Sequence, residues 1–488
     1  LLKSTKLRLG AIYLSLFVLG LGLRWYGIAG KPFWMDEVTT IRRASLGLGP
    51  MVRDSLLFHQ LPLYFIITSW TRPLGSSEFD VRLPAMVFGA LACALGFGVA
   101  RRLGGLWAGW AAGLLLALSP AMVQYSQEAR SYTLLICGIL VGLWGLLALA
   151  DDPPAAARPM LQRDAWAAWA AYVLGTAAAL NTLSDALFWF AAANLGAIAM
   201  LWRGPPGLRW NWLIAQLVIV VLSAPWFIAI KILGQRGALG GLDWVPPLDL
   251  AHLWWSFAST YALRVTSLIT LRIFAPGLPG IGLLAAALAF AGAWSLRLRP
   301  SVLAALAGAI LVLPLGLIAI SLLVAPVLMP RYLLWSAAPF FVCAGLGVTV
   351  LPARLQPAAV ALLAVLLAIN LRPYYSDETK PLWNVAGAKL HAQLLPGDLV
   401  LTNDPQAIGM MNLYLARSGT PITPSQWTMS LAQAMAWRAS GHRVWAVQGR
   451  VGQADHENRA QFLQRIAPLG TPDVREPVGL DILMLGFE

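Results

Sequence analysis

Two adjacent acids, Asp36-Glu37, lie in the run Gly30-Lys31-Pro32-Phe33-Trp34-Met35-Asp36-Glu37-Val38, directly after an apolar segment. A carboxylate held at such a boundary can take a proton from a hydroxyl nucleophile, which is general-base chemistry. Acids there are costly unless solvated, paired or metal-bound, so the other reading is a solvated loop pair. A second cluster, Gln124-Tyr125-Ser126-Gln127-Glu128-Ala129-Arg130-Ser131-Tyr132, interrupts two strongly apolar runs. Glu128 and Arg130 either line a site or form a hydrogen-bonded knot between helices. Arg82, in Phe79-Asp80-Val81-Arg82-Leu83-Pro84, and Arg331, in Pro330-Arg331-Tyr332, each open an apolar segment. A guanidinium at a helix N-terminus suits a phosphate; it equally anchors a helix at lipid headgroups. His59, ahead of Pro62-Leu63-Tyr64, is a metal ligand, a phosphate partner or an interfacial residue.

These residues sit in a chain of 488 residues that is 58% hydrophobic and 12% charged. Soluble domains carry about 25% charged residues, so an ordinary soluble enzyme is excluded, as is a disordered chain. Apolar stretches of about 20 residues recur, the mark of a polytopic α-helical membrane protein. Eleven spans are expected, at 9–28, 82–100, 106–123, 132–150, 165–181, 186–202, 211–230, 277–296, 302–324, 332–350 and 357–370. The first is read as uncleaved, because no small-residue cleavage site follows it before Trp25-Tyr26. The stretch 61–75, broken by Pro62 and Pro73, reads as a re-entrant or interfacial helix. Cys93, Cys137 and Cys343 all lie in apolar runs, so neither a disulfide framework nor a metal-spaced pair is expected.

The net charge of +13 belongs entirely to residues 1–370, since 371–488 hold ten Lys/Arg against ten Asp/Glu. That distribution excludes a nucleic-acid partner, which would need the basic patch on the soluble part. Loops on one side of the expected spans carry 12 Lys/Arg and three acids, the other side 13 and nine. The first side is therefore expected to be cytoplasmic, together with the N-terminus. The chain divides into a membrane domain, 1–370, with outer segments 29–81 and 231–276, and an exterior α/β domain, 371–488. In the latter, strands are expected at Asp398–Thr402, Arg443–Gln448 and Asp481–Leu485, with helices at 381–395, 405–416, 427–440 and 455–466.

Taken in order, these segments resemble the GT-C glycosyltransferases, in the bacterial branch related to protein O-mannosyltransferases and the lipid A aminoarabinose transferase. The resemblance rests on Arg24-Trp25-Tyr26, Trp34-Met35-Asp36-Glu37, Pro62-Leu63-Tyr64, Glu78-Phe79-Asp80-Val81-Arg82-Leu83-Pro84, Tyr125–Tyr132 and Arg331-Tyr332-Leu333-Leu334. It implies a GT-C fold of about eleven transmembrane helices plus interfacial helices, and a transferase acting on the outer face of the cytoplasmic membrane. The donor would be a polyprenyl-phosphate sugar. Asp36 would be the base, with Glu37 orienting the acceptor or a metal. Arg82, Arg130 and Arg331 would hold the donor phosphate, accompanied by Glu128, Tyr125 and Tyr332. A divalent metal would draw on Asp36, Glu128 and His59. One departure stands out. Where the group often has Lys or His before a Pro-Pro pair, this chain reads His59-Gln60-Leu61-Pro62, so either His59 or Gln60 takes that position.

The chemistry agrees with that implication. A sugar hydroxyl needs a base as it attacks C1, and the leaving phosphate needs cations. A single displacement would invert the anomeric carbon. The acceptor is expected to be an envelope glycolipid such as lipid A or its core, or else a protein hydroxyl. Lys231, Arg236, Arg264 and Arg272 in the second outer segment either meet an anionic acceptor or contact lipid headgroups. The competing class is a lipid or sugar transporter without catalysis. Against it, the charged motifs gather at one boundary and no internal repeat is visible.

Overall fold

The computed structural model describes residues 2–160, 162, 165–234, 245–267, 273, 278, 280–419, 422–449, 458–479 and 481–488. The chain opens with α1 (Leu2–Trp25), followed by three short helices, α2 (Met35–Ala44), α3 (Leu48–Leu57) and α4 (Leu63–Thr71). Then come α5 (Glu78–Leu118), α6 (Pro120–Ser126), α7 (Tyr132–Asp151), α8 (Pro153–Ala156), α9 (Trp166–Leu180), α10 (Ala186–Arg203) and α11 (Pro206–Leu233). After α12 (Leu250–Thr260), the helical part ends with α13 (Ile281–Ser295), α14 (Pro300–Leu323), α15 (Pro330–Gly347) and α16 (Gln356–Ser376).

Seven of these, α1, α5, α7, α11, α14, α15 and α16, are long and apolar enough to cross a membrane, and α9, α10 and α13 are shorter apolar helices. Helix α5 is two arms meeting at Gly105, whose φ of 82° only glycine adopts without strain. With its arms counted separately, the eleven expected apolar segments are all present. The expected span 106–123 is itself broken, because Pro120 starts α6 after the extended residue Ser119. The expected interfacial stretch is α4, closed by a 3₁₀ turn over Arg72–Leu74.

Polar links fix the spans against each other. The buried Arg24 guanidinium donates to Ser126 Oγ at 2.9 Å and to the Leu116 carbonyl at 3.1 Å. It thereby ties the end of α1 to the last turn of α5, where free carbonyls attract a cation. Glycines let α7 and α9 touch backbone to backbone, as small residues do between membrane helices. A Cβ on Gly175 would run into the backbone of Gly142 and Gly138. Gly175→Ala is therefore expected to destabilise the protein by about 1–3 kcal/mol, read as a lower thermal midpoint in detergent.

The remaining elements form the α/β unit: α17 (Trp383–Gln393), β1 (Leu399–Thr402), α18 (Pro405–Arg417), β2 (Trp427–Thr428), α19 (Leu431–Ala439), β3 (Val444–Gln448), α20 (Arg459–Ile466), β4 (Val474–Val478) and β5 (Ile482–Phe487). The sheet order is β2-β1-β3-β5-β4. β1 lies parallel to β2 and β3, and β5 antiparallel to β3 and β4. The three expected strands are β1, β3 and β5. The two unexpected ones are both edges: β2 has two residues, and β4 contains Pro477, which an edge strand tolerates. Residues 455–457 of the last expected helix lie outside the described residues. The unit packs on the helical part through Trp383, Met410, Met411 and Tyr414, which meet Phe33, Trp34, Val81 and Ala129 in one apolar cluster. The Tyr414 hydroxyl receives the Phe33 N–H at 2.7 Å and donates to Glu78 at 3.0 Å, so the unit grips both sides of the segment bearing the two acids.

Candidate active site

Consecutive residues on a helix point about 100° apart, and at the start of α2 this separates Asp36 from Glu37. Glu37 turns inward and is fully buried. As the third residue of α2 it accepts the Trp34 N–H at 3.0 Å, the return half of a capping box. Its carboxylate also receives Arg82 Nε at 2.7 Å and Nη2 at 3.0 Å, the Ala129 N–H at 2.9 Å and Lys380 Nζ at 3.1 Å. Burial alone would raise the Glu37 pKa, but Arg82 and Lys380 outweigh it and hold the group down to about 2.

Arg82 is placed by the Ser77–Asp80 capping box that starts α5. Its other N–H groups donate to the carbonyls of Ile28 at 2.6 Å, Lys31 at 2.8 Å and Pro32 at 2.9 Å. All five guanidinium hydrogens are thus directed at protein acceptors. Two expected roles therefore lack free atoms in this arrangement. Arg82 has no donor left for a phosphate, and Glu37 has no lone pair open to an acceptor or a metal. Together they are the buried knot that shapes residues 28–37.

Asp36 faces the other way, with about a third (34%) of its side chain exposed. Arg331 Nη1 donates to its Oδ2 at 3.0 Å, and Arg130 Nε lies 3.9 Å from the same oxygen. Oδ1 has no hydrogen-bond partner among the described residues. Burial works to raise the Asp36 pKa; the charges of Arg130 and Arg331 overcome it and hold the carboxyl below its usual range. Tyr332 lies with its ring 5.4 Å from the Arg331 guanidinium carbon, and Tyr125 meets Tyr132 edge to face at 5.3 Å. Burial pushes the Glu128 pKa up, opposed by Lys380, whose Nζ is 3.5 Å from Oε1. Buried and without hydrogen-bond partners among the described residues are Tyr64 Oη, Glu128 Oε1 and Arg130 Nε.

The expected metal-ligand set does not assemble. Among the described residues no three His, Cys, Asp or Glu side chains converge on a metal position. His59, at a positive φ of 57°, packs beside Gly234 at the end of α11. Gln60 instead accepts from the buried Arg43, which also pairs with Asp54 at 2.6 Å. Asp36 faces two guanidiniums, surroundings that do not suit a dication. In the second outer segment Lys231 is exposed in the last turn of α11, while Arg236 and Arg272 lie outside the described residues.

The sequence pattern missed Lys380, which bridges Glu37 and Glu128 from beyond α16, and Lys31. Lys31 donates to the Tyr374 carbonyl at 2.9 Å and to Thr379 Oγ1 at 2.8 Å. Burial, with Lys380 and Arg82 nearby, lowers its pKa to about 7. The only signal for Lys380 was the charge run Asp377-Glu378-Thr379-Lys380, which reads equally as a solvated turn.

Eleven apolar segments, interfacial helices after the first of them, an acid pair at their mouth and an α/β unit seated above constitute the GT-C fold. Solved structures agree. ArnT from Cupriavidus metallidurans in the apo state aligns over 98% of each chain, with TM-score 0.56 and 14% identity. The same protein bound to undecaprenyl phosphate aligns over 99% of this chain and 98% of its own, with TM-score 0.51 and 14% identity. The oligosaccharyltransferase AglB from Archaeoglobus fulgidus, in complex with an inhibitory peptide and a dolichol-phosphate, has TM-score 0.53 and 12% identity over 90% of this chain and 69% of its own. No protein-family model and no curated protein matches the sequence.

Proposed function

We propose that this protein transfers a sugar from a polyprenyl-phosphate donor to an acceptor hydroxyl on the outer face of the cytoplasmic membrane. The observation that carries the reading is Asp36, a partly exposed carboxylate held between Arg130 and Arg331 at the mouth of a membrane helix array. The undecaprenyl phosphate and dolichol-phosphate held by the two fold neighbours support a lipid-phosphate donor. The larger net positive charge of the opposite loops, 12 Lys/Arg against three acids, supports the orientation.

In this mechanism Arg331 and Arg130 bind the donor phosphate, and Asp36 Oδ1 accepts the acceptor hydroxyl's proton. The acceptor oxygen bonds to C1 as the C1–O bond to phosphate breaks, and the polyprenyl phosphate leaves carrying the electron pair. A single displacement of this kind inverts the anomeric carbon. Envelope glycolipid is the acceptor class we favour. Mass spectrometry of envelope glycolipids from a strain lacking the gene is expected to show loss of one sugar-bearing species; an unchanged glycolipid profile contradicts that acceptor.

The arginines also tune the base. In the free enzyme their charges depress the Asp36 pKa, keeping it ionised but weak. A donor phosphate draws the same charges away, so the pKa rises as the substrate binds and Asp36 becomes a stronger base. Since kcat/KM reports free-enzyme groups and kcat those of the complex, the acid limb of kcat is expected at higher pH than that of kcat/KM. A kcat limb at equal or lower pH contradicts this role for the arginines.

A further inference from the structure

A carboxyl group that the mechanism leaves unused lies within electrostatic reach of Arg331, at the start of a different helix. Asp185 occupies the N-cap position of α10, yet its side chain makes no capping hydrogen bond. Its Oδ2 is buried and has no hydrogen-bond partner among the described residues. Burial pushes the carboxyl up to about 7, against the opposing charge of Arg331. Tyr332 also lies within reach of the Asp185 charge.

Packing sets its depth. The rings of Trp189 on α10 and Trp335 on α15 meet edge to face at 6.4 Å. Trp189 follows Asp185 by four residues and Trp335 follows Arg331 by four, about one helical turn on each helix. The two helices therefore approach one another through these rings one turn in from their starts, which places Asp185 near the level of Arg331. Arg331 already has a close acid in Asp36 at 3.0 Å, so Asp185 is not needed to neutralise it. A buried carboxyl oxygen without a partner is destabilising, and a ligand hydrogen bond at this spot would remove that cost.

We propose that Asp185 is a sugar-contacting residue: its carboxyl accepts a hydrogen bond from a ring hydroxyl of the glycosyl group whose phosphate is held by Arg331. This rests on the donor class proposed above. The sugar is joined to the phosphate through C1, so a carboxyl level with the phosphate-binding arginine meets the ring rather than the isoprenoid chain. Asp36 then serves the incoming acceptor, and Asp185 selects the glycosyl group.

The experiment measures binding of four lipids to the full-length protein in detergent: undecaprenyl phosphate and its glucosyl, mannosyl and arabinosyl forms. The parent should bind at least one sugar-bearing form more tightly than the bare lipid. Asp185→Leu should weaken that form by about 10- to 100-fold, leaving bare undecaprenyl phosphate within twofold of the parent. Asp185→Asn, which keeps the shape and one acceptor oxygen, should fall between and remains informative if the Leu variant folds poorly. Equal weakening of bare and sugar-bearing lipids overturns the proposal by placing Asp185 behind Arg331. Unchanged binding of all four, or a parent that gains nothing from any sugar, also overturns it. Failure of the parent to bind bare undecaprenyl phosphate would instead defeat the donor assignment itself.

Discussion

Asp36→Asn is expected to leave the protein folded and to lower kcat for sugar transfer by about 10²–10⁴-fold, the usual contribution of a general base. The amide keeps the shape of the side chain and can still accept the Arg331 hydrogen bond through its oxygen. What it loses is the ability to take a proton. Because Asp36 is partly exposed and bonded through one oxygen only, the thermal midpoint should shift little. Binding of the lipid phosphate should be unchanged or tighter, since the arginines no longer face a competing negative charge. Measuring kcat, donor binding and thermal midpoint on one preparation separates these effects. Unchanged turnover in a folded variant would remove Asp36 as the base.

Glu37→Gln and Arg82→Ala are expected to act on the fold. Breaking one partner out of a buried ion pair costs about 3–5 kcal/mol, because the other charge stays buried without compensation. Here the loss would spread, since Arg82 also holds three carbonyls of residues 28–32 and Glu37 holds the start of α2. Both variants should show a markedly lower thermal midpoint in detergent and faster proteolysis within residues 28–45. A phosphate-binding role for Arg82 makes the opposite forecast of weak donor binding at unchanged stability. That outcome would restore the expectation drawn from its place at the start of a membrane helix.

The two variants show where the sequence stops being informative. The eleven apolar segments were legible because a membrane demands about 20 apolar residues per crossing. The break at Gly105 was legible too, because Arg101-Arg102 interrupts the apolar run between the expected spans 82–100 and 106–123; the break at Ser119-Pro120 was not. Asp36-Glu37 was legible as an acid pair, but composition does not say which acid turns inward. The start of α2 decides that, by making Glu37 the third helical residue. Arg82 and Arg331 look alike in sequence, each opening an apolar run. Only packing shows that one is saturated by carbonyls while the other reaches an exposed carboxylate. Lys380 joins the site from more than 340 residues beyond Glu37, a distance no local pattern carries. Asp185 lay hidden between two apolar runs as an ordinary turn residue. In the α/β unit the buried strands β1 and β5 announced themselves by continuous hydrophobicity, whereas β4 alternates polar residues around a proline.

The most direct test of the central claim is turnover by the purified full-length protein in liposomes carrying an undecaprenyl-phosphate-linked sugar and an envelope glycolipid acceptor. The account predicts that glycosylated acceptor and free undecaprenyl phosphate form in equal amounts, with the anomeric configuration inverted, and that Asp36→Asn suppresses both. Movement of the donor across the bilayer with its sugar–phosphate bond intact, or transfer with retained configuration, would contradict it.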